Sequence, residues 1–267
     1  MKTLIKKAIN SIGLEIKKNK KYDENQEEDD FKKIFNFFKK WESRFLINQN
    51  QYGGIGDYST ERISILNVPD LYKFVDFKNK SILELGPLEG GNTIILEKFN
   101  PFKIVSIEGR VESFIKCCII KNLYDLNRTK FFLGDLRNIK LELFGQFDVA
   151  LVAGILYHMD NPFKLLYNLS KVTNVIVVST HFASENSPDR SIKTSLLETE
   201  MGNYSGKFYD EGTLSNPNTG LQSKSFWAYK EDLLKMCKDV GFKKINVLKE
   251  NPLKNEKYNL IYFVASK

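Results

Sequence analysis

A short apolar run that ends in glycines constrains the fold of this chain more than any other segment. Residues 81–93 read Ser-Ile-Leu-Glu-Leu-Gly-Pro-Leu-Glu-Gly-Gly-Asn-Thr. The apolar residues at 82–85 predict a buried strand, and the glycines that follow predict a turn into a helix that opens at Asn92. Glycine is favoured where a chain turns sharply and a ligand contacts bare backbone. The segment therefore predicts a strand, a tight turn and a helix, with a ligand bound at the turn.

From residue 80 onward, short apolar runs alternate with stretches of helical spacing. This alternation predicts an α/β domain, with a Rossmann-like parallel sheet and helices on both faces. After a helix at 228–240, two apolar runs with no helix between them predict an antiparallel hairpin at one edge of a seven-stranded sheet. The predicted strands are 81–85, 103–107, 130–133, 148–152, 174–179, 243–248 and 258–265. The predicted helices between the parallel strands are 91–99, 110–123 and 161–170.

Residues 182–226 are polar, rich in Gly, Asn and Ser, and too long for an ordinary connection between elements. A segment of this kind predicts a lid that helps to select the substrate. Its aromatic and acidic side chains suit stacking on a sugar or a base, and many surface loops have the same composition. The candidate lid residues are Tyr204, Phe208, Tyr209, Glu211 and Trp227.

The first 79 residues are predicted to form a helical extension that precedes this domain. Apolar residues at 1–17 recur at helical spacing opposite lysines, which predicts a basic amphipathic helix. Such a helix suits an anionic membrane surface, the domain itself or a second copy of the chain in a homodimer. The charged run 17–30 predicts a linker, aromatic residues at 29–47 predict a second amphipathic helix, 48–59 a loop, and 60–76 a further helix.

Composition and charge make several functional classes less favoured for this chain. The formal net charge of +7 suits nucleic acid. However, seven lysines and one glutamate at 1–21 give +6, and six acids at 22–30 give −6. The remaining excess is spread over a lysine-rich surface, so nucleic acid is a less favoured partner. Three cysteines, including Cys117 and Cys118, form neither a disulfide framework nor a zinc pattern. With no long apolar run and no secretory pattern, the sequence predicts a cytoplasmic protein, with peripheral membrane contact left open.

Three acidic residues fall at or just beyond the ends of the first three predicted strands. Ligands of a doubly wound sheet bind beyond the carboxyl ends of its strands. Glu84 suits an ammonium group, Glu108 lies where a carboxylate accepts hydrogen bonds from ribose, and Asp135 lies where an acid accepts from an adenine amino group. Each acid alone could be a capping or turn residue. Their order favours a site for S-adenosylmethionine (SAM) over one for a nicotinamide cofactor.

The chain has two histidines, which follow the fourth and fifth predicted strands. His158, preceded by Tyr157, and His181 would therefore border the reactive methyl group of such a ligand. A lone histidine is more often structural, and this placement makes a catalytic or substrate-contacting role equally reasonable. Imidazole titrates near neutral pH and can remove the proton of a hydroxyl acceptor, which is worth about 10²–10⁴-fold in rate. No pattern of metal ligands stands out in the sequence.

Residues 81–267 resemble the class I SAM-dependent methyltransferases. The segments 83–93, Ile107-Glu108, Gly154-Ile-Leu-Tyr-His158 and Thr180-His-Phe182 are similar to a group of bacterial methyltransferases often associated with glycan biosynthesis. The Leu-Tyr-His motif also resembles the tRNA wobble-uridine carboxymethyltransferases. One departure from the family is Leu88, which stands where the usual loop has a second glycine and narrows the space beside the ligand.

The resemblance implies in-line methyl transfer from SAM to an oxygen of a sugar or of a lipid-linked glycan. One alternative is tRNA modification with SAM or its carboxylated form, which needs a cation such as Arg62 or Lys224 near the sulfonium. Another is a SAM-fold scaffold without catalysis. The implied catalytic residues are Tyr157, His158 and His181. The implied cofactor-binding residues are Glu84, Gly86, Pro87, Gly90, Glu108, Gly109, Asp135, Leu136 and Ala153. The family places the methionine end of SAM at the first two of these, the ribose at Glu108 and the adenine at Asp135.

Overall fold

The computed structural model describes residues 24–54, 64–185, 192–212, 216–251 and 259–267. The predicted basic helix at 1–17 and the candidate cation Arg62 lie outside the described residues. Within the described part of the chain, no helix is both long enough and apolar enough to span a membrane.

Between residues 80 and 182, and again from 228 onward, the main strands and helices follow one another in the order that the alternating pattern predicts. The strands are β1 (Arg44–Ile47), β2 (Asn50–Gly53), β3 (Ser81–Leu85), β4 (Lys103–Glu108), β5 (Thr129–Leu133), β6 (Val149–Ala153), β7 (Val175–Phe182), β8 (Ser195–Thr199), β9 (Gly202–Asp210), β10 (Lys224–Ala228), β11 (Lys244–Glu250) and β12 (Asn259–Ser266). The α-helices are α1 (Glu24–Asn36), α2 (Gly91–Lys98), α3 (Val111–Leu123), α4 (Pro162–Val172) and α5 (Lys230–Asp239). Short 3-10 turns occupy Ile65–Asn67, Pro69–Lys73, Leu141–Phe144 and Leu156–His158.

The central sheet has seven strands in the order β11-β12-β7-β6-β3-β4-β5. Strands β3 to β7 are parallel to one another. Strand β12 pairs antiparallel with both β7 and β11. The predicted α/β fold class, with an antiparallel hairpin at one edge of a Rossmann-like sheet, is therefore confirmed.

Successive residues of the central strands face opposite sides of the sheet and enter different cores. In β6, Ala150 and Val152 pack with α4 and α5, whereas Val149 and Leu151 pack with α2 and the 3-10 turns before β3. All four are at most 3% exposed, and full burial of one large apolar side chain contributes about 1.5–3 kcal/mol. A strand buried on both faces reads as an unbroken apolar run, which makes these strands predictable from sequence.

The segment before β3 differs from its predicted structure. Helix α1 ends at Asn36, and residues 44–47 of the predicted helix form β1. Residues 50–53 of the predicted loop form β2, which pairs with β1 in a hairpin. Asn48 and Gln49 take left-handed backbone angles (φ 50° and 67°), the geometry of a two-residue hairpin turn. Phe45 and Ile47 are buried while Leu46 is exposed, so the apolar pattern here has the period of a strand and not of a helix.

Two further expectations for the extension are wrong. Residues 24–30 of the predicted linker belong to α1, and the described part of the predicted helix at 60–76 consists of two 3-10 turns. Ser64 caps the first turn by accepting a hydrogen bond from the Leu66 N–H. Pro69 is the first residue of the second turn. A backbone N–H at this position would have no partner within the turn, so the N–H that proline lacks is not needed there. Caps and a proline so close together divide the segment into short turns.

A third core joins the extension to the central domain. Phe35, Trp41 and Phe45 form an aromatic cluster that packs with Ile120 of α3. Their ring centroids lie 4.7 Å apart for Phe35 and Trp41, and 5.7 Å apart for Trp41 and Phe45. These are the spacings of well-packed aromatic pairs, so the described part of the extension is packed as core and not as a loose leader.

A buried ion pair fixes the extension to the turn after β3. Glu89 is fully buried and accepts hydrogen bonds from the backbone N–H groups of Glu42 (3.1 Å) and Ser43 (2.6 Å). The Lys116 ammonium group, 2% exposed, lies 3.0 Å from the same carboxylate. Because a buried charge needs a partner, these contacts hold residues 42–43 against the glycine turn.

The predicted lid contains a second sheet and not a loop alone. Strands β8, β9 and β10 pair antiparallel in the order β10-β9-β8. Strand β9 has buried side chains on both faces, with Tyr204 on one and Tyr209 on the other. Its Gly, Asn, Ser, Lys and Asp residues give it a composition that resembles a loop. The described connection from β9 to β10, residues 211–212 and 216–223, reaches the carboxyl ends of the central strands.

Candidate functional site

A cavity of about 360 Å³ opens at the carboxyl ends of the central parallel strands. The turns that follow β3, β4, β5 and β6 line it, as does the end of β7. The extension contributes Ser43, Ser64 and Ile65, and the β9–β10 connection contributes residues 217–221. The cavity thus lies where a doubly wound sheet binds its ligand. The β9–β10 connection belongs to the predicted lid, whereas the contribution of the extension was not predicted from the sequence.

The turn after β3 forms the floor of the cavity. Gly86, Leu88 and Gly90 have positive φ angles of 63°, 58° and 85°. Left-handed backbone costs a residue with a side chain about 1–2 kcal/mol, so Leu88 is strained where a glycine would not be. Gly86, Pro87 and Leu88 line the cavity. Gly90 does not; it is the N-cap residue of α2.

Glu108, the last residue of β4, presents a nearly buried carboxylate to the cavity. One oxygen accepts a hydrogen bond from the Leu88 N–H (3.1 Å) and the other from the Arg110 N–H (2.8 Å). Burial raises the pKa of Glu108, and these backbone hydrogen bonds oppose the rise. A carboxylate has about four acceptor positions, so Glu108 retains capacity for the hydroxyl groups of a ligand. Gly109, the next residue, also lines the cavity.

Asp135 and Leu136 follow β5 and line the next part of the cavity. Arg137 donates to both carboxylate oxygens of Asp135, from Nε at 2.9 Å and from Nη2 at 2.5 Å. These hydrogen bonds hold the pKa of Asp135 below its usual value. The ionised acid can accept a hydrogen bond beside an apolar surface. Ala153, at the end of β6, completes this predicted part of the lining.

Glu84 lies elsewhere than predicted. It is 1% exposed and does not line the cavity. One carboxylate oxygen accepts hydrogen bonds from the hydroxyl groups of Thr93 (2.6 Å) and Ser106 (2.8 Å). Burial raises the pKa of Glu84 to about 7, although those two hydrogen bonds act in the opposite direction. The Glu84 carboxylate is therefore held by Thr93 of α2 and Ser106 of β4 and is not part of the cavity lining.

His158 forms a pair with an acid from the lid. The His158 Nδ1 lies 2.8 Å from Oε2 of Glu211, which directly follows β9. Burial alone would raise the pKa of Glu211. Hydrogen bonds, among them those from His158 and Gly220, outweigh the effect of burial, so the pKa of Glu211 is lowered. An ionised carboxylate can only accept, so Nδ1 carries the hydrogen and the lone pair of the neutral ring is on Nε2. Both Tyr157 and His158 line the cavity.

His181, near the end of β7, is held as a neutral imidazole. Its Nδ1 lies 3.1 Å from the carbonyl oxygen of Asn259 in β12, so this nitrogen donates a hydrogen bond. Burial lowers the pKa of His181. Its ring stacks on Trp227 at 5.1 Å and meets the edge of Tyr157 at 4.5 Å. His181 and His158 thus flank Tyr157 at one end of the cavity.

The predicted lid residues divide into three groups. Glu211 joins the site through His158. Tyr209 stacks on Trp227 at 4.2 Å, and together they form a buried support behind His181 without lining the cavity. Tyr204 and Phe208 lie in the core, against the expectation that they contact a substrate. Tyr204 is fully buried, and its hydroxyl donates to Asp239 of α5 at 2.7 Å.

The β9–β10 connection holds functional contacts that sequence reasoning missed. The Arg110 side chain donates hydrogen bonds to the carbonyl oxygens of Thr219 (2.8 Å) and Gly220 (3.0 Å). Asn218 donates to the buried carboxylate of Glu42 at 3.1 Å. The connection is therefore fastened to the end of β4 and to the extension. The glycine at 220 was the available signal, but the Arg110 side chain that binds its carbonyl oxygen is 110 positions away in the sequence.

The lining residues fit an adenosine group. Glu108 offers acceptor positions for ribose hydroxyls, Asp135 offers one for an adenine amino group, and Leu88, Leu136 and Ile155 provide apolar surface. The backbone of the Gly86 turn can approach a ligand closely, because no Cβ intervenes there. Among the described residues, no group of three His, Cys, Asp or Glu side chains is arranged to hold a metal ion.

Solved structures with the same architecture include a SAM-dependent methyltransferase and a domain that binds S-adenosylhomocysteine. The chain is similar to the N-terminal domain of EvdMO1 with S-adenosylhomocysteine (SAH) bound, with a TM-score of 0.73 and 25% identity over 92% of this chain and 97% of that one. A SAM-dependent methyltransferase from Mesorhizobium loti gives a TM-score of 0.52 at 10% identity, covering 76% of this chain and 99% of that chain. The chain therefore has the fold of the class I SAM-dependent methyltransferases.

The sequence comparisons give less detail. No protein-family model matches the chain. The tRNA U34 carboxymethyltransferase of Campylobacter fetus subsp. fetus (strain 82-40) is 26% identical in an alignment 192 residues long that covers 64% of this chain. The chain spans 66% of the length of that relative, slightly under two thirds.

Proposed function

We propose that this SAM-dependent methyltransferase methylates a hydroxyl oxygen of a sugar or glycan, with His158 as the general base. The observation that carries the proposal is the 2.8 Å pair of His158 and Glu211 at the cavity wall. A carboxylate that fixes the tautomer of a histidine and stabilises its protonated form is the usual support of a catalytic base. Methyl transfer to a hydroxyl group needs such a base, since a neutral hydroxyl is a weak nucleophile.

The cofactor residues extend along the ends of β3 to β6. Glu108 accepts hydrogen bonds from the ribose, Asp135 accepts one from the adenine amino group, and the turn at Gly86 and Pro87 supports the methionine end. SAM, when bound, supplies an electrophilic methyl group on a sulfonium. The chain must align that methyl group with the acceptor oxygen, and alignment of this kind is the main source of rate in an in-line displacement.

The base acts from the other end of the cavity. His158 Nε2 takes the proton of the acceptor hydroxyl as the new carbon–oxygen bond forms. Glu211, ionised because its pKa is lowered, stabilises the imidazolium that results. His181 stays neutral, since burial lowers its pKa, and it positions the acceptor together with Tyr157. The extension and the β9–β10 connection close the cavity and exclude water.

The chemistry of the lining favours an uncharged acceptor. The cavity lining includes the hydroxyl-bearing residues Ser43 and Ser64 and the aromatic residue Tyr157. Among the described residues that line the cavity, Arg110 is the one Lys or Arg, and it lies next to Glu108 at the ribose end. A neutral polyol needs hydrogen-bonding groups and no countercharge. The N-terminal domain of EvdMO1 has also been crystallised in the presence of SAH and D-fucose.

Modification of tRNA is the alternative, supported by the name of the Campylobacter relative. A carboxylated form of SAM would need a cation beside the sulfonium. Lys224, one of the two candidates, is exposed on β10 and does not line the cavity, and Arg62 lies outside the described residues. Contact of residues 1–17 with a membrane and formation of a homodimer stay predictions.

Transfer of a labelled methyl group separates the two functions. The full chain is incubated with methyl-labelled SAM and, in parallel, with neutral sugars, lipid-linked glycans and bulk tRNA. We expect label in a sugar or glycan, as an alkali-stable ether, and a loss of about 10²–10³-fold in His158→Ala. Label in tRNA alone would contradict the proposal, as would full activity of His158→Ala.

A further inference from the structure

We infer that Arg110 is a positioning residue for the catalytic base, acting through the backbone of the β9–β10 connection. This inference rests on the proposed role of His158. Arg110 lies two residues after Glu108, and its Nη2 reaches the carbonyl oxygens of Thr219 (2.8 Å) and Gly220 (3.0 Å). The guanidinium thus holds two successive peptide groups of a segment that has no regular secondary structure of its own.

One of these peptide groups connects Arg110 to Glu211. The Gly220 N–H donates to Oε2 of Glu211 at 2.5 Å, and the same oxygen lies 2.8 Å from the His158 Nδ1. The Thr219 carbonyl and the Gly220 N–H belong to a single planar unit and point in opposite directions. Arg110 therefore holds one side of the plane while Glu211 is bound on the other. Without the guanidinium the plane can rotate, and Glu211 loses a hydrogen bond that fixes its orientation.

Gly220 is packed closely against both His158 and Glu211. A Cβ atom at Gly220 would lie 2.8 Å from the His158 carbonyl oxygen and 3.2 Å from Cδ of Glu211. The first distance is shorter than real Cβ contacts, so Gly220→Ala must displace either the connection or the pair. The substitution is a second, independent way to disturb the geometry that Arg110 maintains.

The hydrogen bond from Arg110 to Glu108 at the ribose site is donated by the backbone of Arg110, and the charge of its side chain acts on Glu108 only as a smaller effect. The Arg110 N–H donates to Glu108 at 2.8 Å, and any residue except proline supplies that donor. Removal of the side chain therefore leaves this hydrogen bond to the ribose-binding carboxylate in place. A positioning role and a cofactor-binding role for the guanidinium thus lead to different results: loss of base geometry in one case, and loss of SAM affinity in the other.

The experiment compares Arg110→Ala, Arg110→Lys and Gly220→Ala in the full chain, with Arg128→Ala as the control. Arg128 pairs with Glu97 away from the cavity. Nitrogen-15 NMR reports the tautomer of His158 directly, and with two histidines in the chain the signals are assigned from His181→Gln. Calorimetry with SAM gives the Kd, and thermal unfolding confirms that each variant is folded.

We expect Arg110→Ala and Gly220→Ala to convert the fixed Nδ1–H tautomer of His158 into an exchanging mixture. The Kd for SAM should change by less than about threefold in Arg110→Ala, and kcat with a sugar acceptor should fall about 10–100-fold. Arg110→Lys, which can hold one carbonyl oxygen, should be intermediate. Should Arg110→Ala not fold, the tautomer of His158 in Arg110→Lys and Gly220→Ala decides between the two roles.

Two results would overturn the inference. An unchanged tautomer in both Arg110→Ala and Gly220→Ala would show that the connection does not orient the base. A tenfold weaker Kd with an unchanged tautomer would make Arg110 a cofactor ligand instead. If the wild type transfers no methyl group to any sugar, the proposed function fails, while the tautomer measurement still tests the link from Arg110 to His158.

Discussion

Glu211 Oε2 lies 2.8 Å from His158 Nδ1, although the two residues are 53 positions apart in the sequence. The contact joins a strand-end turn of the central sheet to the connection that closes the cavity. It gives the imidazole a fixed tautomer and an anionic support. The site therefore has the parts needed to accept a proton where the class I methyltransferase fold delivers a methyl group.

Glu211→Gln tests the support directly. The amide keeps the shape of the side chain but removes the negative charge that stabilises the imidazolium. We expect kcat to fall about 100-fold, within the range for loss of general-base assistance, with the Kd for SAM nearly unchanged. Glu198→Gln, on the exposed side of β8, is the matched control and should retain full activity. A Glu211→Gln enzyme with normal kcat would remove Glu211 from the mechanism.

Glu84→Gln tests the consequence of a buried acid with a raised pKa. The pKa in the folded chain is about 7 against an ordinary value of 4.5. Protonated Glu84 is the form that folding favours, so this contribution to stability is complete below pH 4.5 and is lost as the pH rises to about 7. At 1.36 kcal/mol per unit, the loss is about 3 kcal/mol above pH 7.

The amide has no charge to bury, so Glu84→Gln should unfold like the wild type at pH 5 and at higher denaturant than the wild type at pH 8. Urea unfolding at both values measures the difference, and Glu142→Gln, a half-exposed acid paired with Lys171, serves as the control. Parallel pH dependences for wild type and Glu84→Gln would contradict the raised pKa.

Glu89→Ala tests the attachment of the extension to the glycine turn. The substitution leaves the Lys116 ammonium buried and removes the acceptor for the N–H groups of Glu42 and Ser43. Loss of one partner of a buried pair costs about 3–5 kcal/mol. Hydrogen exchange should also become faster in β1 and β2.

Glu112 provides a matched control, because it pairs with the same Lys116 at 2.9 Å but is 64% exposed. Glu112→Ala should cost less than about 1 kcal/mol, as exposed pairs do. Equal losses for Glu89→Ala and Glu112→Ala would show that the buried contact does not hold the extension.

Tyr204→Phe distinguishes a core residue from a substrate contact. The variant loses the hydrogen bond to Asp239, which should lower the free energy of unfolding by about 1 kcal/mol. Since Tyr204 does not line the cavity, kcat and the KM for the acceptor should stay at wild-type values. A raised KM with normal stability would indicate that Tyr204 contacts the substrate, as the sequence predicted.

The central sheet could be predicted from the sequence because its signals are local. The parallel strands are short, mainly apolar runs, and acids at or near strand ends mark the ligand side of the sheet. Glu108, Asp135, His158 and His181 line the cavity on this basis. Glu84 does not, because position at a strand end says nothing about the direction in which the side chain turns.

The remaining parts of the site depend on contacts between distant segments. The hairpin of β1 and β2 has aromatic residues that also fit the spacing of a helix. The turn at Asn48 and Gln49 decides between a helix and a hairpin. The hydrogen bonds that Glu42 and Ser43 donate to Glu89 come from backbone N–H groups. Such groups are present in almost every residue, so the sequence does not reveal these contacts. Strand β9 resembles a loop because Gly, Asn, Ser, Lys and Asp residues are interspersed with its buried aromatic residues.

Binding of SAM to the wild type and to Glu108→Ala, measured by titration calorimetry, tests the central claim most directly, because it needs no knowledge of the acceptor. Loss of hydrogen bonds to a charged group costs about 1.5–3 kcal/mol, so Glu108→Ala should bind SAM about 10–100-fold more weakly than the wild type. Glu142→Ala should bind like the wild type. No heat of SAM binding to the wild type, or equal affinity in Glu108→Ala, would contradict the account of the cavity as the cofactor site.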